Sequence, residues 1–398
     1  MTLTANLFRP PMLDRAEPSV PTSGPDAVAA LLGWVAPNWF AAVMGTGILA
    51  TAAVGLPVDA AAAALIRPFA VAAWVVAAGL LVAVGTLTAL QWLRRPELAR
   101  AHHRHPVLAH FYGAPPMALM TVGAGALLLG PDLIGSAAAV RLDWVLWIAG
   151  TLFGLVTCLA VPYLLITGRL EGPTGRPAAA FGGWLMPVVP PMVSASTGAL
   201  LLPHLPAGQP RLTLLVAGYA LFGISLLASM IIITQIWARL TRHGLPEPRL
   251  VPTLWIVLGP LGQSVTAAIL LGEHADLAIG PPWSSALRAF ELLYGLPVFG
   301  FAMLWLALAA GITLRTIRDV GLPFAPTWWS FTFPVGTCVT GASGLARTTG
   351  SDALMLIAVV LFGVLLAAWA VVSTNAVRSA RHRPGGATGD RHGMLGSV

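Results

Sequence analysis

Ten mostly apolar runs divide this 398-residue chain, at 31–54, 69–93, 107–129, 142–167, 181–202, 212–238, 253–271, 289–314, 327–346 and 353–376. Each comes near the roughly 20 residues that an α-helix needs to cross a bilayer. A segment inside hydrocarbon must satisfy its own backbone hydrogen bonds, so only helices or closed barrels are open to such a chain. Runs of this length without period-2 alternation point to helices. The predicted fold class is therefore all-α integral membrane, with ten transmembrane helices. Four of the boundaries are short enough to force antiparallel hairpins. Only 9% of the residues are charged, against about 25% in soluble domains.

Three parts are expected: a disordered cytoplasmic N-tail at 1–28, a ten-helix transmembrane domain at 29–376, and a disordered cytoplasmic C-tail at 377–398. Residues 1–28 are polar and Pro-rich and lack the apolar core of a signal peptide. The sequence contains no lysine, so its 22 basic residues are all arginine. With the N-terminus inside, 17 arginines fall in cytoplasmic segments and five outside, namely Arg67, Arg141, Arg211, Arg288 and Arg347. By the positive-inside rule this split places both termini in the cytoplasm and the protein in the cytoplasmic (inner) membrane. Insertion accounts for the pI of about 10.6, so no nucleic-acid partner is implied. The basic loop from Arg94 to His105 is suited to anionic membrane lipid. Cys158 and Cys338 lie in separate spans and offer neither a disulfide framework nor a metal cluster.

Odd-numbered and even-numbered spans are different materials. Eight prolines fall in the odd spans (Pro37, Pro115, Pro116, Pro187, Pro190, Pro191, Pro260, Pro334) and two in the even ones (Pro162, Pro297). Broken backbone at membrane depth is tolerated where it packs in protein or lines a cavity. Polar neutral residues follow the same division, with Asn38, Thr46, Thr121, Ser194, Ser196, Thr197, Gln263, Ser264, Thr266, Thr337, Thr340 and Ser343 all on odd spans. The odd helices are thus expected inside, kinked at Pro37, Pro115, Pro190, Pro260 and Pro334, and the plain even helices outside. Eight residues beyond each of those prolines stands a small one: Gly45, Gly123, Gly198, Ala268 and Ala342. Five helical hairpins around a centre follow, with the odd helices running parallel and lining a pore. Helix packing through small residues is the competing explanation of the same composition.

No span carries a charge at mid-depth. Glu291 comes nearest, and Arg288 one turn earlier makes a self-satisfied pair the default. A path lined by Thr, Ser, Gly and broken backbone can solvate an anion weakly and release it, as conduction requires, whereas cations would want rings of acids. Candidate lining residues are Asn38, Gly45, Thr46, Thr121, Gly123, Ser194, Gly198, Gln263, Thr266, Thr337, Thr340 and Gly344. His110 enters the third span and is read as a structural histidine or as a proton switch. His102, His103 and His105 beside Arg104 read as a solvated basic face in preference to a metal site. Paired carboxylates, HExxH, GxSxG and P-loop patterns are missing, so no enzyme, cofactor or metal is predicted.

The stretches "NWFAAVMGTGILA", "HPVLAHFYGAPPMALMTVGAG", "VVPPMVSASTGALL", "LGPLGQSVTA" and "PTWWSFTFPVGT" occur in that order across residues 30 to 376. Together they resemble the tellurite-resistance/C4-dicarboxylate transporter family, which takes in bacterial tellurite-resistance proteins, fungal malate and sulfite carriers and plant slow-type anion channels. The resemblance implies five hairpins in quasi-fivefold arrangement, a pore through each protomer, and a homotrimer. It also implies a pore-occluding phenylalanine on the ninth helix, which by pattern is Phe333, with Phe331 as rival. Two residues rotate a helix by about 200°, so the two cannot share one axis. The expected function is transport of small inorganic anions or C4-dicarboxylates such as malate. The alternatives are a proton-coupled malate-type carrier or sulfite exporter of the same fold, and a membrane sensor or scaffold with a vestigial pore.

Overall fold

The computed structural model describes residues 32–170 and 179–381, and these are helical, with no strand among them. The expected N-tail and residues 382–398 of the expected C-tail lie outside the described residues. Ten helices carry the fold: α1 (Phe40–Val54), α2 (Ala60–Arg94), α3 (Ala114–Leu129), α4 (Ser136–Ile166), α5 (Pro190–Ala199), α6 (Gln209–His243), α7 (Leu258–Glu273), α8 (Trp283–Asp319), α9 (Phe333–Thr349) and α10 (Asp352–Arg381). Eight helical segments among the described residues are long and apolar enough to cross a membrane. The helices α5 and α9, of 10 and 17 residues, fall short of that length, although the sequence gives each an apolar run of about 20 residues.

The shortness has a cause that recurs. All five odd helices are preceded by a 3-10 segment: Pro37–Trp39, Leu108–Gly113, Gly182–Leu185, Pro248–Val257 and Pro326–Phe331. Pro115, Pro190, Pro260 and Pro334 stand within the first three residues of their α-helices, and Pro37 opens its 3-10 turn. Proline fits the first turn because its missing N–H has no intrahelical partner there. The five prolines expected to kink long helices instead mark the joints where 3-10 geometry gives way to α. Even helices lack such joints and run for 30 to 37 residues.

The odd helices touch in one closed cycle: α1 with α3, α3 with α5, α5 with α7, α7 with α9, and α9 with α1. Their five 3-10 segments touch in the same order. Each even helix packs on its predecessor in sequence and also on the next odd helix, α10 closing onto α1. Three tryptophans pin those second contacts. Trp74 of α2 donates to the Val122 carbonyl at 3.0 Å, Trp147 of α4 to the Ser194 carbonyl at 2.9 Å, and Trp369 of α10 to the Thr46 hydroxyl at 3.0 Å. Burial divides accordingly: in an apolar 18-residue stretch of each span, 83% of the first and 78% of the third is buried, against 28% of the second and 22% of the fourth.

Three sequence expectations change here. The helix α4 starts at Ser136, not near 142, so Asp143 lies two turns inside it, fully buried against Gly123 of α3. Glu291 is not paired with Arg288. That arginine reaches Asp276 at 2.5 Å, and Glu291 is buried against Gly272 at the end of α7. The last helix also runs past the expected boundary at 376 to Arg381.

Candidate functional site

All five odd segments converge on one small cavity of about 30 Å³. Its wall takes Ala41 and Met44 from α1, Phe111 and Met117 from the third span, and Met186 and Val189 from the approach to α5. Ile256, Gly259 and Pro260 add the seventh span, and Trp329, Ser330, Phe333 and Pro334 the ninth. Four of these residues, Phe111, Met186, Ile256 and Ser330, stand four positions before a joint proline. A proline cannot donate to the carbonyl four residues back, so the backbone opens where the segments meet.

Phe333 owes its prominence to what stands at the same register elsewhere. The residue just before each joint proline is Ala36, Ala114, Val189, Gly259 and Phe333. Phe333 is the one aromatic residue at this register, and with it Val189 and Gly259 line the cavity. Phe331 goes elsewhere, packing edge-on against Trp255 at 5.1 Å and against Trp328 at 6.0 Å.

Seven residues beyond that register a helix has risen by about 10.5 Å and returned to within about 20° of the same face. The residues there are Val43, Thr121, Ser196, Thr266 and Thr340, four hydroxyls in five. Thr266 and Thr340 share a hydrogen bond of 2.7 Å across α7 and α9. Each is also the one residue of its neighbourhood that is not buried, Thr266 within 256–269 and Thr340 within 332–346. Ser196 accepts from the Gln263 amide, and the Thr121 methyl lies against Gly47 of α1. The expectation missed Ser196 as a lining candidate. Counting in sevens from the residue before each joint proline would have found it.

Other expected lining residues serve the seams between helices. Thr46 accepts from Trp369, Ser194 accepts from Thr151 of α4 at 3.0 Å, and Thr337 donates to the Leu258 carbonyl at 3.2 Å. A Cβ on Gly123 would come within 2.6 Å of Asp143, on Gly198 within 2.9 Å of Trp147, and on Gly344 within 2.7 Å of Ile269; on Gly45 it would overlap Thr332. These four glycines stand at helix contacts, where small residues let backbones approach. Asn38 is buried in the first 3-10 turn with its Oδ1 unpartnered.

His110 is 1% exposed, and neither ring nitrogen has a protein partner. Its ring stacks on Trp184 at 6.0 Å and meets Phe181 edge-on at 5.5 Å, and the next residue, Phe111, lines the cavity. The nearby histidine cluster is not a solvated face. The helix Pro96–Arg104 turns His102 inward, where burial and the neighbouring His105 and His103 hold its pKa down to about 4. His103 stacks on Tyr112 at 4.1 Å, and His105 Nδ1 accepts from the Val107 and Leu108 amides.

Residues 35–377 match the family described as SLAC1, voltage-dependent anion channel. An uncharacterized transporter of Methanocaldococcus jannaschii is 28% identical over 352 residues, covering 86% of this chain and 93% of that protein. The sulfite efflux pump SSU1 of Arthroderma otae is 26% identical over 352 residues, covering 85% and 90%, and that of Trichophyton rubrum 25% with the same coverage. With the long apolar helices, these matches describe a multi-pass membrane protein.

Proposed function

Because the chain belongs to the SLAC1 voltage-dependent anion channel family, we propose that it moves small anions through a path enclosed by α1, α3, α5, α7 and α9 and occluded by Phe333. The observation that carries this reading is the cavity shared by all five odd segments, with a single phenylalanine at a register where the others hold Ala, Ala, Val and Gly. In the same reading ten helices form five hairpins, the prolines' ends of the odd helices face the cytoplasm with both termini, and the even helices meet lipid and the partners of a homotrimer. The cyclic contacts and the burial contrast support the ring, and the arginine split supports the orientation.

The path holds no ring of fixed charge. Beyond the apolar cavity lies a belt of hydroxyls, Thr121, Ser196, Thr266 and Thr340, that can donate to an anion without trapping it. Relatives named as sulfite efflux pumps make sulfite the first oxyanion to test, beside chloride, nitrate and malate. In this reading the narrow cavity passes none of these until the ring of Phe333 moves. Phe333→Ala protein in liposomes is expected to raise anion flux about tenfold or more, since side-chain removal opens a blocked path, and Phe331→Ala to leave it near the native level. A rise in the Phe331 variant alone would transfer the gate.

A second reading, proton-coupled carriage, is favoured by His110, a buried imidazole with both nitrogens unpartnered beside the cavity wall. It requires flux that collapses with the pH gradient and is lost in His110→Ala. Flux indifferent to both assigns the protein to passive conduction.

A further inference from the structure

We propose that Arg347 is the anion-capture residue at the far mouth of this path, with Glu273 opposing it at the same level. The inference rests on the anion-path reading above. It starts from two parallel stripes: Phe333, Thr340 and Arg347 on α9, and Gly259, Thr266 and Glu273 on α7. Successive members are seven residues apart, so each stripe keeps one face of its helix while climbing about 10.5 Å per step. Both stripes begin at the shared cavity and are tied at mid-height by the 2.7 Å bond between Thr266 and Thr340. Arg347 and Glu273 therefore end at matching heights. On α1 and α3 the residues at that level are Ala50 and Leu128, and α5 ends at Ala199 before reaching it. The two stripes thus bring one cation and one carboxylate to the mouth, and a second carboxyl, Glu291 of α8, is buried behind Glu273 against Gly272.

The two charges are held apart. Arg347 Nη1 donates to the Gly55 carbonyl at the end of α1, at 2.9 Å, which turns the guanidinium toward α1 and away from α7. One donor is used in this way, and the fork of a guanidinium has five. Arg347 takes part in none of the three ion pairs found among the described residues, and its side chain is exposed. The other four arginines near that end stand on even helices and are engaged there. Arg67 bonds Asp132, Arg288 bonds Asp276, Arg141 donates to the Ala137 carbonyl and Arg211 to the Leu205 carbonyl. Arg347 alone stands on a ring helix, with donors left for an inorganic oxyanion or halide. A charge at a narrow mouth in low-dielectric surroundings concentrates counter-ions, and salt screens the effect.

The test is single-protein conductance in planar bilayers with chloride as the probe, in the Phe333→Ala background so that occlusion does not limit current. At about 20 mM salt, where the screening length is near 20 Å, Arg347→Gln is expected to cut anion current roughly 3- to 10-fold, and Glu273→Gln to raise it about twofold. Arg347→Lys keeps the current, and near 0.5 M salt all variants converge to within about 1.5-fold. An Arg347→Gln current equal to its parent at low salt overturns the assignment. So does a loss of equal size at both salts, which would report only the broken tie to Gly55. If the Phe333→Ala parent itself carries no chloride, nitrate, sulfite or malate, the anion-path reading fails, and the mouth assignment falls with it.

Discussion

The two halves of the ring hold together by different means. Toward the 3-10 segments, neighbouring odd segments of the cycle meet backbone to backbone: Gly113 lies on the Met186 carbonyl, and Gly182 on the Thr253 carbonyl. Farther along, beyond the close approach of Gly262 to the Thr337 and Cys338 backbone, the same helices meet through side chains, Gln263 with Ser196 and Thr266 with Thr340. The first kind of contact admits no extra atom. The second tolerates exchange, because a hydrogen bond between membrane helices contributes only about 0.6 kcal/mol on average. The half that encloses the 30 Å³ cavity is therefore the half that cannot relax, and the far half is the adjustable one.

The sharpest way to break this comparison is to add one carbon to the rigid half. A Cβ on Gly182 would overlap the carbonyl carbon and oxygen of Thr253, and the obstacle is backbone, which cannot rotate away. Gly182→Ala is expected to cost about 3 kcal/mol or more, at the upper end for overpacking, and to lower the thermal unfolding midpoint of the detergent-solubilised protein sharply. Gly259 gives the control. It lines the same cavity, but an added Cβ there meets nothing within 4 Å, so Gly259→Ala should keep the native midpoint. Equal midpoints for the two variants would show that the rigid half is not closed by backbone contact.

The sequence made the contrast between inner and outer helices legible because proline and hydroxyl content follow burial directly. An apolar, proline-poor run such as 353–376 is cheap against lipid, and a segment such as "VVPPMVSASTGALL" is not. Lengths were less legible, since hydropathy does not distinguish 3-10 from α, and the prolines that suggested bends proved to be starting points. The site was legible by level but not by residue. Thr46, Ser194 and Thr266 look alike in sequence, yet Thr46 and Ser194 serve seams with even helices and Thr266 meets open space. Which face a hydroxyl takes depends on the crossing of two helices, and that is set by the glycines and tryptophans of the partner, such as Trp147 over Gly198. Asp143 lies deep in its helix because that helix begins at Ser136, two turns before it, whereas hydropathy alone marks the run from 142.

A milder change sharpens the other side of the comparison. Thr266 and Thr340 each have a second acceptor in reach, the Gly262 carbonyl at 3.1 Å and the Thr337 carbonyl at 3.0 Å, so whichever hydroxyl accepts in the shared bond can donate to its own carbonyl. Replacing either by valine keeps the shape and removes one shared bond, so each single variant should lose about 0.6 kcal/mol, and the double-mutant coupling should stay below about 1.7 kcal/mol. Unfolding of the four proteins under one set of detergent conditions measures it. Anion flux in the same variants should fall more than stability does, because these two hydroxyls are the part-exposed donors of the belt. A coupling as large as the cost of Gly182→Ala would mean that the far half is clamped as firmly as the near one, and the division of labour between the two would be lost.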